Sequence, residues 1–266
     1  MNNTMGNFSY FYGSKKGESI KSYEEWKKVF HMHDSKGKID HWRPRYSAQS
    51  LAEDFMCKDG EQMLMQLVEQ FTGEHIQGIP TALIEHGSSF DSYSRARMQD
   101  LVVFGKLTNK DTFFIGLEAK VKESFGSKSI KKQYDACKAK IEAGIRTNAY
   151  ERLQALVKDF LHKELKELTP KELELRYQLL YYLAGSFRDR EGGKHILMPI
   201  VAYHHTKGKD KNKEAFEAFI EALGGFTKQK ILINGEEIVG YKKELCAPLK
   251  DGTLETKMVY TCYITK

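Results

Sequence analysis

Apolar residues first recur along the chain at helical spacing. Ala48, Leu51, Ala52 and Phe55 fall on one stripe and predict a helix from Ser47, its N-cap, through Met56. Leu64, Leu67, Val68 and Phe71 form a second stripe, which Gly73 ends. The period then shortens to two. Thr81–His86, Met98–Leu107 and Thr112–Lys122 read as strands, the last two joined by Thr108-Asn109-Lys110-Asp111, a length suited to a hairpin. Helical spacing returns from Ser129 to about Leu168, with an interruption near Gly144–Asn148. Thr169-Pro170-Lys171-Glu172 supplies an N-cap, a proline at the first helical position and a glutamate that closes a capping box, so a helix is predicted from there to about Phe187. His195–His204 is apolar through its middle, as a strand covered on both faces would be. Phe216, Phe219, Ile220 and Leu223 mark a short helix, and the remainder reads as hairpins turning at Asn234-Gly235 and Asp251-Gly252. This order predicts an α/β fold: a mixed β-sheet flanked by helices, with a C-terminal β-hairpin extension.

The polar, Lys- and Gly-rich residues 1–40 read as an arm, 41–205 as the core, and 206–266 as a helix and hairpins packed on that core. Of 266 residues, 41% are hydrophobic and 12% aromatic, which is enough for a sizeable core and excludes wholesale disorder. No apolar run approaches the ~18–20 residues of a membrane span, so no membrane partner is expected. The N-terminal residues lack the apolar block of a signal peptide, and the four cysteines form no CxxC pair. A cytoplasmic protein with reduced thiols is the expectation. Phosphate-loop, dinucleotide-binding and serine-hydrolase signatures are absent from the sequence.

Forty-two Lys and Arg stand against thirty-six Asp and Glu, a mild surplus of +6. Its distribution says more, because Lys106, Lys110, Lys120, Lys122, Lys128, Lys131, Lys132, Lys138 and Lys140 crowd one stretch with few acids. Such a surface suits a polyanion, with a solvated helix face as the competing explanation. Arg95, Arg97, Lys122, Lys128 and Arg176 are the candidate nucleic-acid contacts.

The candidate chemistry lies in the hairpin. Glu118 and Lys120 project from one face of a strand that is otherwise apolar, and two charges there are costly unless they are paired or open on a cleft. Asp100 lies on the preceding strand, ~4.8 Å away if the strands are neighbours. In a suitable register Asp100 and Glu118 would share one divalent cation, which needs only one or two carboxylates. Lys120 would then orient or deprotonate the nucleophile and offset transition-state charge. A simple salt bridge of Glu118 with Lys120 or Lys122 is the bland alternative.

Asp100 followed by Glu118-Ala119-Lys120, after a helix and a strand, resembles the PD-(D/E)xK, or restriction-endonuclease-like, nuclease superfamily. The resemblance implies Asp100 and Glu118 as ligands of Mg²⁺ or Mn²⁺, Lys120 as the catalytic lysine, and DNA as the expected substrate. Arg176-Tyr177-Gln178-Leu179-Leu180 is similar to the helix that some branches set beside the site, which adds Gln178 to the catalytic set. Together with Trp42–Ala52 and Leu117–Gly126, this segment looks like an uncharacterised bacterial branch of that superfamily. Gln99 stands where the motif has proline. A glutamate often completes the site in that superfamily, and Glu53, Glu69 or Glu85 is the candidate; a homodimer is a further expectation. A binding module that keeps the fold without catalysis is the alternative.

Overall fold

A computed structural model describes residues 7–33, 42, 46–93, 96–121, 123–203 and 210–266. The strands are β1 (Ser9–Tyr12), β2 (Ser19–Ile20), β3 (Ile76–Ser88), β4 (Arg97–Leu107), β5 (Thr112–Lys120), β6 (His195–Ala202), β7 (Thr227–Ile233), β8 (Glu236–Pro248) and β9 (Leu254–Thr265). The helices are α1 (Tyr23–His33), α2 (Ser47–Cys57), α3 (Gly60–Thr72), α4 (Ile130–Glu142), α5 (Ala149–Leu161), α6 (Pro170–Leu173), α7 (Tyr177–Phe187) and α8 (Lys211–Leu223). Among the described residues the strands form one nine-stranded sheet in the order β2-β1-β3-β4-β5-β6-β9-β8-β7. It is mostly antiparallel, and only the β1–β3, β5–β6 and β6–β9 pairs run parallel. The C-terminal hairpins continue this sheet through β9, which lies along β6.

Strand alternation feeds two cores, one on each face. Ala82, Leu101, Val103, Ile115 and Leu117 pack with α1, α2 and α3, whereas Leu83, Val102, Phe104 and Phe114 pack with α4, α5, α7 and α8. Every residue of β6 is buried, which follows from its place between β5 and β9 with helices on both sides. On α3 the stripe Met63, Leu64, Leu67, Val68 and Phe71 is buried, each side chain contributing about 1.5–3 kcal/mol by leaving water. Gly73 ends that helix at φ 74°, a left-handed conformation that costs glycine little.

Two local expectations need correction. The helix expected from Thr169 to Phe187 is two helices. Thr169 does cap α6 through a capping box, but the chain then becomes extended at Arg176, which bridges Ser129. Ile130 donates to the Leu175 carbonyl and Tyr177 to that of Lys128, so a partner far along the chain takes the hydrogen bonds a continuous helix would use. The second correction concerns Ser47, which is the first helical residue; Tyr46 occupies the N-cap and makes no side-chain cap bond. Among the described residues no helix is long and apolar enough to cross a membrane.

Candidate functional site

The β4–β5 ladder runs from Lys106 opposite Thr112 to Leu101 opposite Leu117, and there it ends. Beyond it β5 continues beside β6 alone, with Glu118 opposite Ile200 and Lys120 opposite Ala202. The Ala119 N–H would be left without a strand partner. It donates instead to Asp100 Oδ2 at 2.7 Å, so this carboxylate sits in the notch where the two strands part.

The parting has a backbone cause. Val102 and Phe104 face α7, and simple alternation would turn Gln99 and Arg97 to the opposite side. Yet Gln99 donates to Ser186 of α7 at 3.2 Å, and Arg97 donates to Glu118. The β3–β4 ribbon therefore turns over at Asp100. Opposite Asp100, between the Ile84–Leu101 and His86–Gln99 pairs, Glu85 has φ 51°, a conformation that non-glycine residues rarely adopt within a strand.

This bend brings five side chains together. Glu118, 2% exposed, accepts from Lys120 Nζ at 2.7 Å and Gln178 Nε2 at 2.7 Å on Oε1, and from Arg97 Nη2 on Oε2. Lys120 is 6% exposed, and its Nζ lies 5.5 Å from the Phe125 ring centre. Gln178 reaches Glu118 because α7 restarts at Tyr177, which places it in the first turn. Four residues on, the Tyr182 hydroxyl donates to the carbonyls of Gly116 and Pro199. Four further on, Ser186 meets Gln99, so one helix face clamps the site.

Desolvation and the neighbouring Glu118 charge push the Asp100 carboxyl up to about 7, with Lys120, Arg97 and the Ala119 N–H pulling the other way. For Lys120, burial alone would lower the pKa, but the Glu118 and Asp100 carboxylates outweigh it and raise the net value. As arranged, Lys120 is a cation and a proton donor; it becomes a base only after parting from Glu118.

Asp100, Glu118, Lys120 and Gln178 thus lie together. Arg97, expected on a phosphate, joins them through Glu118. Arg176, half-buried, and Lys128, exposed, flank the N-terminal end of α7 near Gln178. Arg95 and Lys122 lie outside the described residues. Glu53 and Glu69 do not join the cluster. Both sit on helices of the opposite face, Glu53 bonded to Gln49 at 3.0 Å and Glu69 3.5 Å from His75. Glu85 lies opposite Asp100 in the β3–β4 ladder. Tyr182 and Ser186 had a sequence signal that went unused, the four-residue spacing from Gln178.

The donor set for a cation is two carboxylates. Among the described residues no group of three or more His, Cys, Asp or Glu gathers to hold a metal ion. Two carboxylates suffice for magnesium, which keeps several waters; the Asp100 carboxyl is raised first by burial and then by the Glu118 charge beside it.

Residues 19–246 match the family described as DUF6946, a domain of unknown function. The chain belongs to that family. No curated protein and no solved structure matches this DUF6946 chain. The matched span takes in the whole cluster, from Arg97 to Gln178.

Proposed function

We propose that the protein is a metal-dependent nuclease of the PD-(D/E)xK, restriction-endonuclease-like class, hydrolysing phosphodiester bonds of DNA in the cytoplasm, in restriction, repair or defence. The observation that carries this reading is the meeting of Asp100, Glu118, Lys120 and Gln178 where β4 and β5 part. The path of the chain supports it: α3 leads into the antiparallel β3-β4-β5 meander, and α7 crosses back to β6, parallel to β5.

Asp100 and Glu118 are the residues that would hold Mg²⁺ or Mn²⁺. Such an ion, when bound, lowers the pKa of a water and polarises the scissile phosphate. Lys120 presents a positive charge beside the carboxylates and offsets the charge that develops on the phosphate oxygens. Gln178 fixes the rotamer of Glu118 through Oε1. Lys128 and Arg176, on the rim beside α7, contact the nucleic-acid backbone.

The test is cleavage of single- and double-stranded DNA and RNA with Mg²⁺ or Mn²⁺. The wild type cuts, and Lys120→Ala loses about 10²–10³-fold in rate with its fold retained. Equal cutting by both proteins rejects the assignment. One observation favours a second reading, a nucleic-acid-binding module without catalysis: Glu118 is buried, and both its oxygens already carry donors. That reading expects salt-sensitive DNA binding, no cutting with any metal and indifference to Asp100→Ala.

A further inference from the structure

We propose that Arg97 is a built-in competitor for the cation site, its guanidinium holding Glu118 until a divalent ion and a substrate phosphate replace that contact. The inference rests on the metal-dependent reading above and adds a residue that governs when the site loads.

Charge balance is the first argument. Asp100 and Glu118 bring two acidic groups, and Lys120 and Arg97 bring two cations to the same cluster. With both cations in place the cluster is neutral or positive and holds no net attraction for a divalent ion. Lys120 is fixed two residues along the same strand from Glu118. Arg97 is not. It reaches Glu118 from the far side of the bend at Asp100 and Glu85, so its departure leaves β5 intact.

The second argument is the unfinished coordination of Arg97. Its side chain is 11% exposed, and among the described residues its buried Nε has no acceptor, while Nη2 donates to Glu118 Oε2. A guanidinium carries five donors in a planar fork suited to two oxygens of a phosphate, and a buried donor without a partner is costly. The Glu118 seat satisfies the charge of Arg97 but not its fork. A phosphodiester brought to the cluster offers the missing acceptors and draws Arg97 away from Glu118, which frees Oε2 for the ion. Ion and nucleic acid then favour each other's binding.

The experiment is calorimetric titration of the full chain with MnCl₂ at fixed ionic strength, for wild type, Arg97→Gln, Arg97→Lys and Asp100→Asn. Arg97→Gln is expected to bind Mn²⁺ about tenfold tighter than wild type, a modest share of the coupling measured between close charge pairs. Arg97→Lys keeps the charge, loses the fork and falls between the two. Tighter binding than wild type in Arg97→Lys supports the proposal even if Arg97→Gln fails to fold. Wild-type affinity in both Arg97 variants, or weaker binding in Arg97→Gln, overturns the role of Arg97 while leaving the metal site standing, provided Asp100→Asn abolishes uptake. No Mn²⁺ uptake by any of the proteins, or undiminished uptake by Asp100→Asn, overturns the metal-dependent reading and this inference with it.

Discussion

Asp100 is held in a position that the fold would gain by neutralising. Its carboxyl titrates near 7 because burial and Glu118 both oppose its charge, whereas an aspartate in an unfolded chain titrates near ~3.9. The folded state therefore binds this proton more tightly than the unfolded state, and stability falls as pH rises from about 4 towards about 7. Asp100→Asn keeps an acceptor for the Ala119 N–H and removes the charge. It is expected to raise the melting temperature at pH 8, by about 2 kcal/mol in stability, and to change it little at pH 4.5. A thermal melt at the two pH values decides the matter, and a lower melting temperature of Asp100→Asn at pH 8 rejects the claim that burial and Glu118 oppose the Asp100 charge. At this scale the sequence was informative where charge interrupts an apolar strand, as at Glu118 and Lys120. The seat of Arg97 was not legible, because it depends on a ribbon that turns over where Glu85 takes a left-handed conformation, which residue type does not announce. Gln178 is one glutamine in a leucine-rich helix, and only the resemblance singled it out.

At the scale of elements, the decisive contact is α7 lying across β4 and β5. Gly116 permits it. A Cβ at that position would stand 2.6 Å from Ser186 Oγ and 3.3 Å from Gln99 Oε1, so alanine there pushes the helix or the ribbon outwards. Gly116→Ala is expected to cost about 1–3 kcal/mol and to loosen the Gln178–Glu118 bond, since the two contacts lie on one rigid helix. Unfolding in urea measures the first effect. Metal-dependent cutting, if the proposed activity is found, measures the second, and an unchanged unfolding midpoint rejects the close-packing argument. The start of α7 also shows why its prediction failed. The α6 capping box is legible in four adjacent residues, but the break before Tyr177 is made by Ser129 and Lys128, whose approach is a tertiary event. The same holds for β1, four residues that become a strand only because β3 offers a parallel edge.

For the molecule as a whole, the remaining problem is how the N-terminal ribbon, the sheet and the helical layer stay in register at the bend. His86 is the staple. It is 2% exposed, with Nδ1 2.8 Å from the Gly13 carbonyl after β1 and Nε2 3.0 Å from Asp189 Oδ2 after α7. Nδ1 must carry a proton to bond a carbonyl, and Nε2 must carry one to bond a carboxylate, so the arrangement calls for the imidazolium. Burial lowers the pKa of His86, but the Asp189 hydrogen bond and charge outweigh it and the net shift is upward; Asp189 itself is held below the usual carboxylate range, its burial offset by His86 and Ser88. A histidine whose folded pKa is raised contributes stability fully below its unfolded value of ~6.5 and loses it as pH climbs through the folded pKa. The depressed Asp189 works in the other direction, contributing above ~3.9 and failing as pH falls through its folded pKa. The pair is thus strongest between about pH 4 and 6.5. Between pH 6 and 9 the loss of the His86 contribution alone is expected to lower the wild-type melting temperature by roughly 2–4 °C, the equivalent of about 1 kcal/mol in a chain of this size. His86→Gln is expected to melt lower at pH 6 and to lack that increment of pH dependence, because its amide has a single donor nitrogen for the two acceptors and no titrating proton. Parallel melting curves for the two proteins across this range would mean that His86 is neutral in the fold, and that packing alone joins the three layers at the bend.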